Sequence, residues 1–215
     1  MLFKRLALIS ILALTTSEIA NAGSALSWNL SRDMIEGIAK NPNGVWTFMK
    51  NTTGVDNPVN YSQLSHYHSP CYQITPYLDC WHINKNNGIY PLVGIATKTF
   101  KYRGITETQG IPLFHPGANS PVILRWKSPI DGNVSVMGRV SAFDQNCNGD
   151  GINWAFKDKN AVIIKSGHLN NCTGHVFSAE NIAVIKGDSL YFSIDMNGTT
   201  YNDSTNLDML ITSQQ

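Results

Sequence analysis

From Pro121 onward the chain alternates. Val122, Leu124 and Trp126 fall on one side of an extended segment and Arg125 and Lys127 on the other, the period of two that marks a half-buried strand. Val134, Val136, Gly138, Val140 and Ala142 repeat the pattern, and the turn residues Pro129-Ile130-Asp131-Gly132 between the two runs predict a hairpin. Further strands are predicted over 152–156, 161–165, 175–185, 190–194 and 207–211, with turns at Lys186-Gly187-Asp188 and Asn197-Gly198. Short strands at this spacing place the chain in the all-β class and favour a β-sandwich over a barrel. Before residue 110 the pattern is less regular. Segments 45–50, 80–83 and 92–97 have strand character, while Ser69-Pro70 and Thr75-Pro76 interrupt any long element. This stretch reads as edge strands and loops wrapped on the sandwich. One short helix is expected, with Ser31 as N-cap, Asp33 in the first turn, Met34, Ile35 and Ile38 on one side, and Asn41-Pro42 closing it. The domain reading is an N-terminal elaboration over 23–110 and a sandwich core over 111–215, forming one compact unit. No fixed-period repeat supports a solenoid or propeller.

Composition changes the picture in one direction. Of 215 residues, 42% are hydrophobic and 14% charged, and 16 basic side chains meet 15 acidic ones, which excludes a disordered chain. No basic run offers a footprint for nucleic acid or an anionic membrane surface, so neither is expected as a partner. The first residues are decisive for location. Lys4 and Arg5 precede the apolar run Leu6 to Leu14, and Ala20-Asn21-Ala22 supplies a small-x-small cleavage site, so 1–22 reads as a signal peptide cut near Ala22. The apolar run falls well short of the roughly 20 residues a membrane span needs. The expectation is an exported protein, extracellular or periplasmic, with no membrane insertion. In that setting the four cysteines form disulfides, and of three possible pairings Cys71–Cys80 and Cys147–Cys172 are favoured, each stapling a loop at a strand boundary.

Five motifs in order carry a resemblance: Asn41-Pro42-Asn43-Gly44-Val45-Trp46, Leu113-Phe114-His115-Pro116-Gly117, Leu124-Arg125-Trp126-Lys127-Ser128-Pro129 with Gly132, Gly149-Asp150-Gly151, and Asn202-Asp203-Ser204-Thr205. Together they resemble a jelly-roll-like module of exported bacterial proteins. The resemblance covers most of the chain after residue 22 and implies a β-sandwich whose architecture is similar to that of carbohydrate-binding modules, with no defined activity. This chain departs from the pattern in its two cysteine pairs and in its His- and aromatic-rich segment from Tyr61 to His82.

Signatures of catalysis are missing: there is no Gly-x-Ser-x-Gly elbow, no His-Glu-x-x-His and no phosphate-binding glycine loop. Glu36, Glu107 and Glu180 are the only glutamates after residue 22, which restricts a paired-carboxylate glycosidase, although Asp serves in either role. In a strand, His66 and His68 would point to the same face at a separation that a Zn or Cu site uses, with His82, Cys71 and Cys80 nearby. Oxidation of those cysteines in an exported chain removes the thiolates and leaves the histidines on a stapled loop. Asp144, Asn146, Asn148 and Asp150 place oxygen side chains at alternate positions before Gly151, a pattern that fits a structural calcium, with Asp203 or Asp208 as helpers, and equally fits an Asx-rich turn capping its own backbone. Ala155 stands where an EF-hand needs a bidentate Glu. Trp46 and Trp126 read as core. Trp81 and His82, with Tyr67, Tyr72, Tyr77 and Tyr90, form an aromatic segment short of aliphatic neighbours, which suits either packing or a platform on which sugar rings stack. The function read from the sequence is an exported, non-catalytic binding protein whose partner is a glycan or a surface protein. A hydrolase with an Asp-based site and a structural or adhesive module are the alternatives.

Overall fold

The computed structural model describes residues 25–71, 76–83, 90–102, 105–143 and 147–214. Residues 1–22, Tyr72, Asp144 and Asn146 lie outside the described residues. Two sheets face each other as a jelly-roll-like β-sandwich. The larger sheet runs β14-β11-β16-β9-β6-β5-β4, with β1 also pairing β16, and the six-stranded sheet runs β13-β12-β15-β10-β2-β3. In the larger sheet these are β1 Ser27–Asn29, β4 His66–His68, β5 Leu78–His82, β6 Leu92–Ala96, β9 Pro112–His115, β11 Gly132–Ala142, β14 Gly174–Val184 and β16 Thr205–Ser213. In the smaller they are β2 Trp46–Asn51, β3 Tyr61–Gln63, β10 Val122–Lys127, β12 Ile152–Lys157, β13 Ile163–Leu169 and β15 Ser189–Met196. β7 Phe100–Tyr102 and β8 Ile105–Glu107 pair separately as a hairpin.

The alternating apolar residues meet between the sheets. Val134, Val136 and Val140 of β11 and Leu207, Met209 and Ile211 of β16 pack against Leu124 and Trp126 of β10 and Phe192 and Ile194 of β15. Trp154, Phe177 and Phe192 form a ring cluster across the gap, with centroids 5.3 to 5.7 Å apart. Such offset and tilted arrangements add to the area that the rings bury. Trp46 and Trp126 are both buried, as their patterns predict.

Four local expectations change. β10 and β11 are not a hairpin: β10 pairs β2 and β15, whereas β11 pairs β14 and β16, so the turn over 128–131 carries the chain from one sheet to the other. Turn residues mark a reversal but leave open whether the returning strand pairs or crosses. The helix α1, Leu30–Gly37, is capped by Asn29, whose Oδ1 accepts from the Arg32 amide at 2.8 Å. Ser31 instead lies inside the first turn and donates to Asp208 Oδ1 at 3.0 Å, and Ile35 is exposed while Leu30 and Met34 are buried. Asn29 wins the cap because that register turns Leu30 into the core. In addition, β2 is an inner strand between β10 and β3, and β6 lies between β9 and β5, so these N-terminal strands are not edges. β13 begins at Ile163 rather than residue 161 because Asp158 Oδ1 accepts from the amides of Asn160 and Val162 and closes a turn there.

Candidate functional site

Both expected disulfides are present, Cys71–Cys80 and Cys147–Cys172. The first sits in a small core with Leu78, Leu92, Ala96, Phe100 and Leu113. The aromatic residues flanking it are spread over three places. Trp81 is half-buried against the main core, its Nε1 donates to the Ile38 carbonyl at 2.6 Å, and Tyr67 tilts against it at 5.3 Å. The Tyr67 hydroxyl in turn donates to Asp79. His82 has no exposed surface and is stacked between His66 and His68, its Nε2 lying 2.6 Å from His68 Nδ1. Tyr77 is exposed beside Phe100, with the Lys98 ammonium 5.8 Å from its ring centre. Tyr90 is exposed and stacks on His115 at 3.7 Å. Tyr77 precedes Leu78, which faces Ala96, whereas Tyr90 lies beyond Leu92, which faces His82. The two residues therefore sit beyond opposite ends of β6, a strand about 13 Å long.

At the Tyr90 end a cleft of about 420 Å³ opens, walled by Tyr90, Tyr102, His115, Phe143 and Tyr201. Hydroxyl and amide groups of Thr199, Thr200, Asn202 and Ser204 complete its lining. Tyr102 comes from the β7–β8 hairpin and Tyr201 from the loop before β16, so the wall joins three segments far apart in sequence. His115 is buried at its base, and burial pushes its pKa down to about 4, partly offset by its bond to Pro116. Its Nδ1 lies 2.7 Å from the Pro116 carbonyl, which only accepts, so Nδ1 carries the proton.

The loops under Tyr201 involve the predicted calcium segment. Asp150 accepts from the Thr199 amide at 2.9 Å and hydroxyl at 3.1 Å, and these bonds hold its carboxyl below the ordinary range. The Asn148 carbonyl accepts from Asn202 Nδ2 at 2.6 Å. Among the described residues, then, Asn148 and Asp150 tie two loops together, and no group of three or more His, Cys, Asp or Glu side chains is placed to hold a metal. Asp203, next in line, is 1% exposed and neither carboxylate oxygen has a hydrogen-bond donor among the described residues. Burial, with Asp150 and Asp195 adding like charge, pushes its pKa up to about 7.

A second concavity of about 570 Å³ lies on the outer face of the six-stranded sheet, bordered by Asp56, Lys157 and Asp195. The sequence reading did not single out these residues. The signal was small residues at outward strand positions, which alternation alone treats as ordinary solvent-facing sites.

No family model matches this chain, and no curated protein matches it. Solved structures show a remote likeness. The K2 cleaved adhesin domain of Lys-gingipain is 10% identical with a TM-score of 0.40, over 89% of this chain and all of that one. The K3 adhesin domain of the same protein, from Porphyromonas gingivalis, is 13% identical with a TM-score of 0.39, over 49% of this chain and 74% of that one. A family 36 carbohydrate-binding module solved with calcium and xylotriose is 12% identical with a TM-score of 0.32, over 55% of this chain and 90% of that one.

Proposed function

We propose that this chain is an exported, non-catalytic glycan-binding module, and that the cleft at Tyr90, Tyr102 and Tyr201 is its site. The observation that carries this reading is the meeting of three tyrosines from separate segments around a cleft that also presents His115, Phe143 and Ile105 and the hydroxyl and amide groups of Thr199, Thr200, Asn202 and Ser204. Sugar rings offer apolar C–H faces to aromatic planes and hydroxyls to Thr, Asn and Ser, and an uncharged lining of this kind favours a neutral ligand. Two disulfides suit an oxidising compartment, and no helix among the described residues is long and apolar enough to cross a membrane. Tyr77, Tyr67, Trp81 and His82 stand away from this cleft or under it, and of the aromatic segment only Tyr90 enters the proposal.

A glycan array probed with the chain lacking residues 1–22 tests it. Binding to one class of saccharide, weakened at least tenfold by Tyr201→Ala, is the expected result. Absence of binding on the array, or affinity unchanged in that variant, removes the cleft as the site.

A structural calcium is the second part of the proposal, and Asp203 is the residue it rests on. A buried carboxylate with no donor is costly unless neutralised, and a cation beside Asp203, with Asp150 adjacent, supplies the missing charge. Calcium at a hundredfold excess over its dissociation constant should raise stability by about 2.7 kcal/mol. Melting curves that coincide in calcium and in chelator, or a calcium response that survives Asp203→Asn, contradict it.

A further inference from the structure

The strand register of the six-stranded sheet places small residues side by side on its outer face. Ser166 of β13 faces Ala155 of β12, and Ala155 faces Ser193 of β15. Ser193 then faces Ile123 of β10, which faces Met49 of β2. Three small side chains followed by two large ones make a step, and the groove lies over the small half, with Gly167 widening it beside Ser166.

Polar groups close this groove on two sides. On one, Lys157 reaches Asp56 Oδ2 at 2.6 Å, and Asp56 also accepts from the Tyr61 hydroxyl. The Lys157 side chain is only 5% exposed, so this ion pair is built into the wall. Burial disfavours ionisation of Asp56, but the bonds from Lys157 and Tyr61 outweigh it and hold its carboxyl below the ordinary value. On the other side Asn153 faces Asp195 across β12 and β15, with Asn51 and Asn119 nearby. Asp195 Oδ1 accepts from the Met196 amide at 2.9 Å, and no other hydrogen bond to this carboxylate is made among the described residues. Burial, reinforced by the negative charge of Asp56, raises its pKa despite that bond and the Lys157 charge. The groove thus holds one cation against two carboxylates, with the cation already spent on Asp56. It lacks an exposed aromatic platform of the kind found in the tyrosine cleft.

We infer that this groove is a second binding site, separate from the tyrosine cleft, for a saccharide bearing a free primary amine, with Asp195 receiving the ammonium group. Asn119 and Ser166 on the groove offer an amide and a hydroxyl to the donors and acceptors of a sugar ring, whereas Asn51 is tied to Thr53 and Val55 and Asn153 to Asn197 and His168. A charge-assisted bond from an ammonium to a half-buried carboxylate is the interaction that discriminates, because an N-acetylated sugar leaves Asp195 without a counter-charge.

Isothermal titration at mildly acidic pH with a glucosamine trimer, its N-acetylated counterpart and trilysine tests the site. The glucosamine trimer should bind about tenfold more tightly than the acetylated trimer. Asp195→Asn, which keeps the shape of the side chain, should bring the two saccharides to within about twofold, and Ser166→Trp should block the groove to both. Melting temperatures of both variants near that of the parent chain confirm that they are folded, as their half-buried and edge-strand positions lead one to expect. Equal binding of the two trimers, discrimination that survives Asp195→Asn, binding that survives Ser166→Trp, or trilysine binding as tight as glucosamine would each overturn the assignment.

Discussion

Two cysteine pairs staple two loops in this chain, and they do different work. Cys71 and Cys80 are buried among Leu78, Leu92 and Leu113, and the aromatic residues near them turn inward or pack on neighbouring strands. Cys147 and Cys172 lie at the surface, both in left-handed backbone, beside loops in which the Asn197 and Asn202 side-chain amides donate to the backbone carbonyls of Asp150 and Asn148. The first staple is part of the packing. The second fixes loops next to a cleft and leaves their polar groups at the surface. Aromatic density in the sequence therefore points to the packed region, while the walls of the cleft come from isolated tyrosines held by polar loops.

Removing each staple breaks this comparison most directly. Replacing Cys71 and Cys80 together by Ser should cost about 5 kcal/mol, the loop-entropy share plus the burial of two hydroxyls. Replacing Cys147 and Cys172 should cost about 3.5 kcal/mol, almost all from loop entropy across a separation of 25 residues. Denaturant unfolding of the two variants checks the order, and a larger loss from the surface pair would reverse the argument.

Single aromatic truncations come next. Trp81→Ala removes packing against the core and the bond to the Ile38 carbonyl, and should cost about 3 kcal/mol of stability. Tyr201→Ala, at a side chain 63% exposed, should change stability by less than about 0.5 kcal/mol. Thermal melts of the pair separate a ring that packs from one that faces solvent.

An effect of pH follows. Glu107 is 1% exposed, and burial pushes its pKa up to about 7 although Asn206 donates to it. A raised carboxyl favours the protonated folded state, so its contribution is full below about pH 4.5 and is lost as the pH rises through 7. His115 acts in the opposite sense: its neutral form is favoured, and that contribution is lost as the pH falls from about 6.5 towards 4. Glu107→Gln should therefore stabilise the protein at pH 8 by about 2 kcal/mol and leave it nearly unchanged at pH 4. Equal effects at both values would show that Glu107 keeps an ordinary pKa.

The parts of the fold legible in the sequence are those set by alternation and by composition. Val122, Leu124 and Trp126 could face only a core, and a chain with two close cysteine pairs had few ways to join them. Sheet membership was not legible, because β10 and β11 look like hairpin partners until the pairing of each to other strands is known. Nor were short strands such as His66–His68 and Phe100–Tyr102, where three residues give alternation too little length to show. The cleft was legible only at Tyr90. Tyr102 and Tyr201 are 99 residues apart and meet through the tertiary fold, and the sheet groove depends on Ala155, Ser166 and Ser193 falling into register across three strands.

The pairing of β1 with β16 sets a clock on assembly. Ser27 faces Thr212, and the Leu26 amide and carbonyl both bond to Ser213, so strands from opposite ends of the chain complete one another. β2 likewise waits for β10, some 75 residues later. Contacts this distant in sequence close slowly, because the entropy of each long loop is spent before the contact returns any stability. A chain emerging from its N-terminus therefore leaves β1 and β2 without their partners until most of the sequence has appeared. The same adjacency offers a way to change that order: a short linker from residue 214 back to residue 25, with new termini at an exposed turn such as Lys186-Gly187, would make β16 and β1 neighbours in sequence and turn the last contact into an early one.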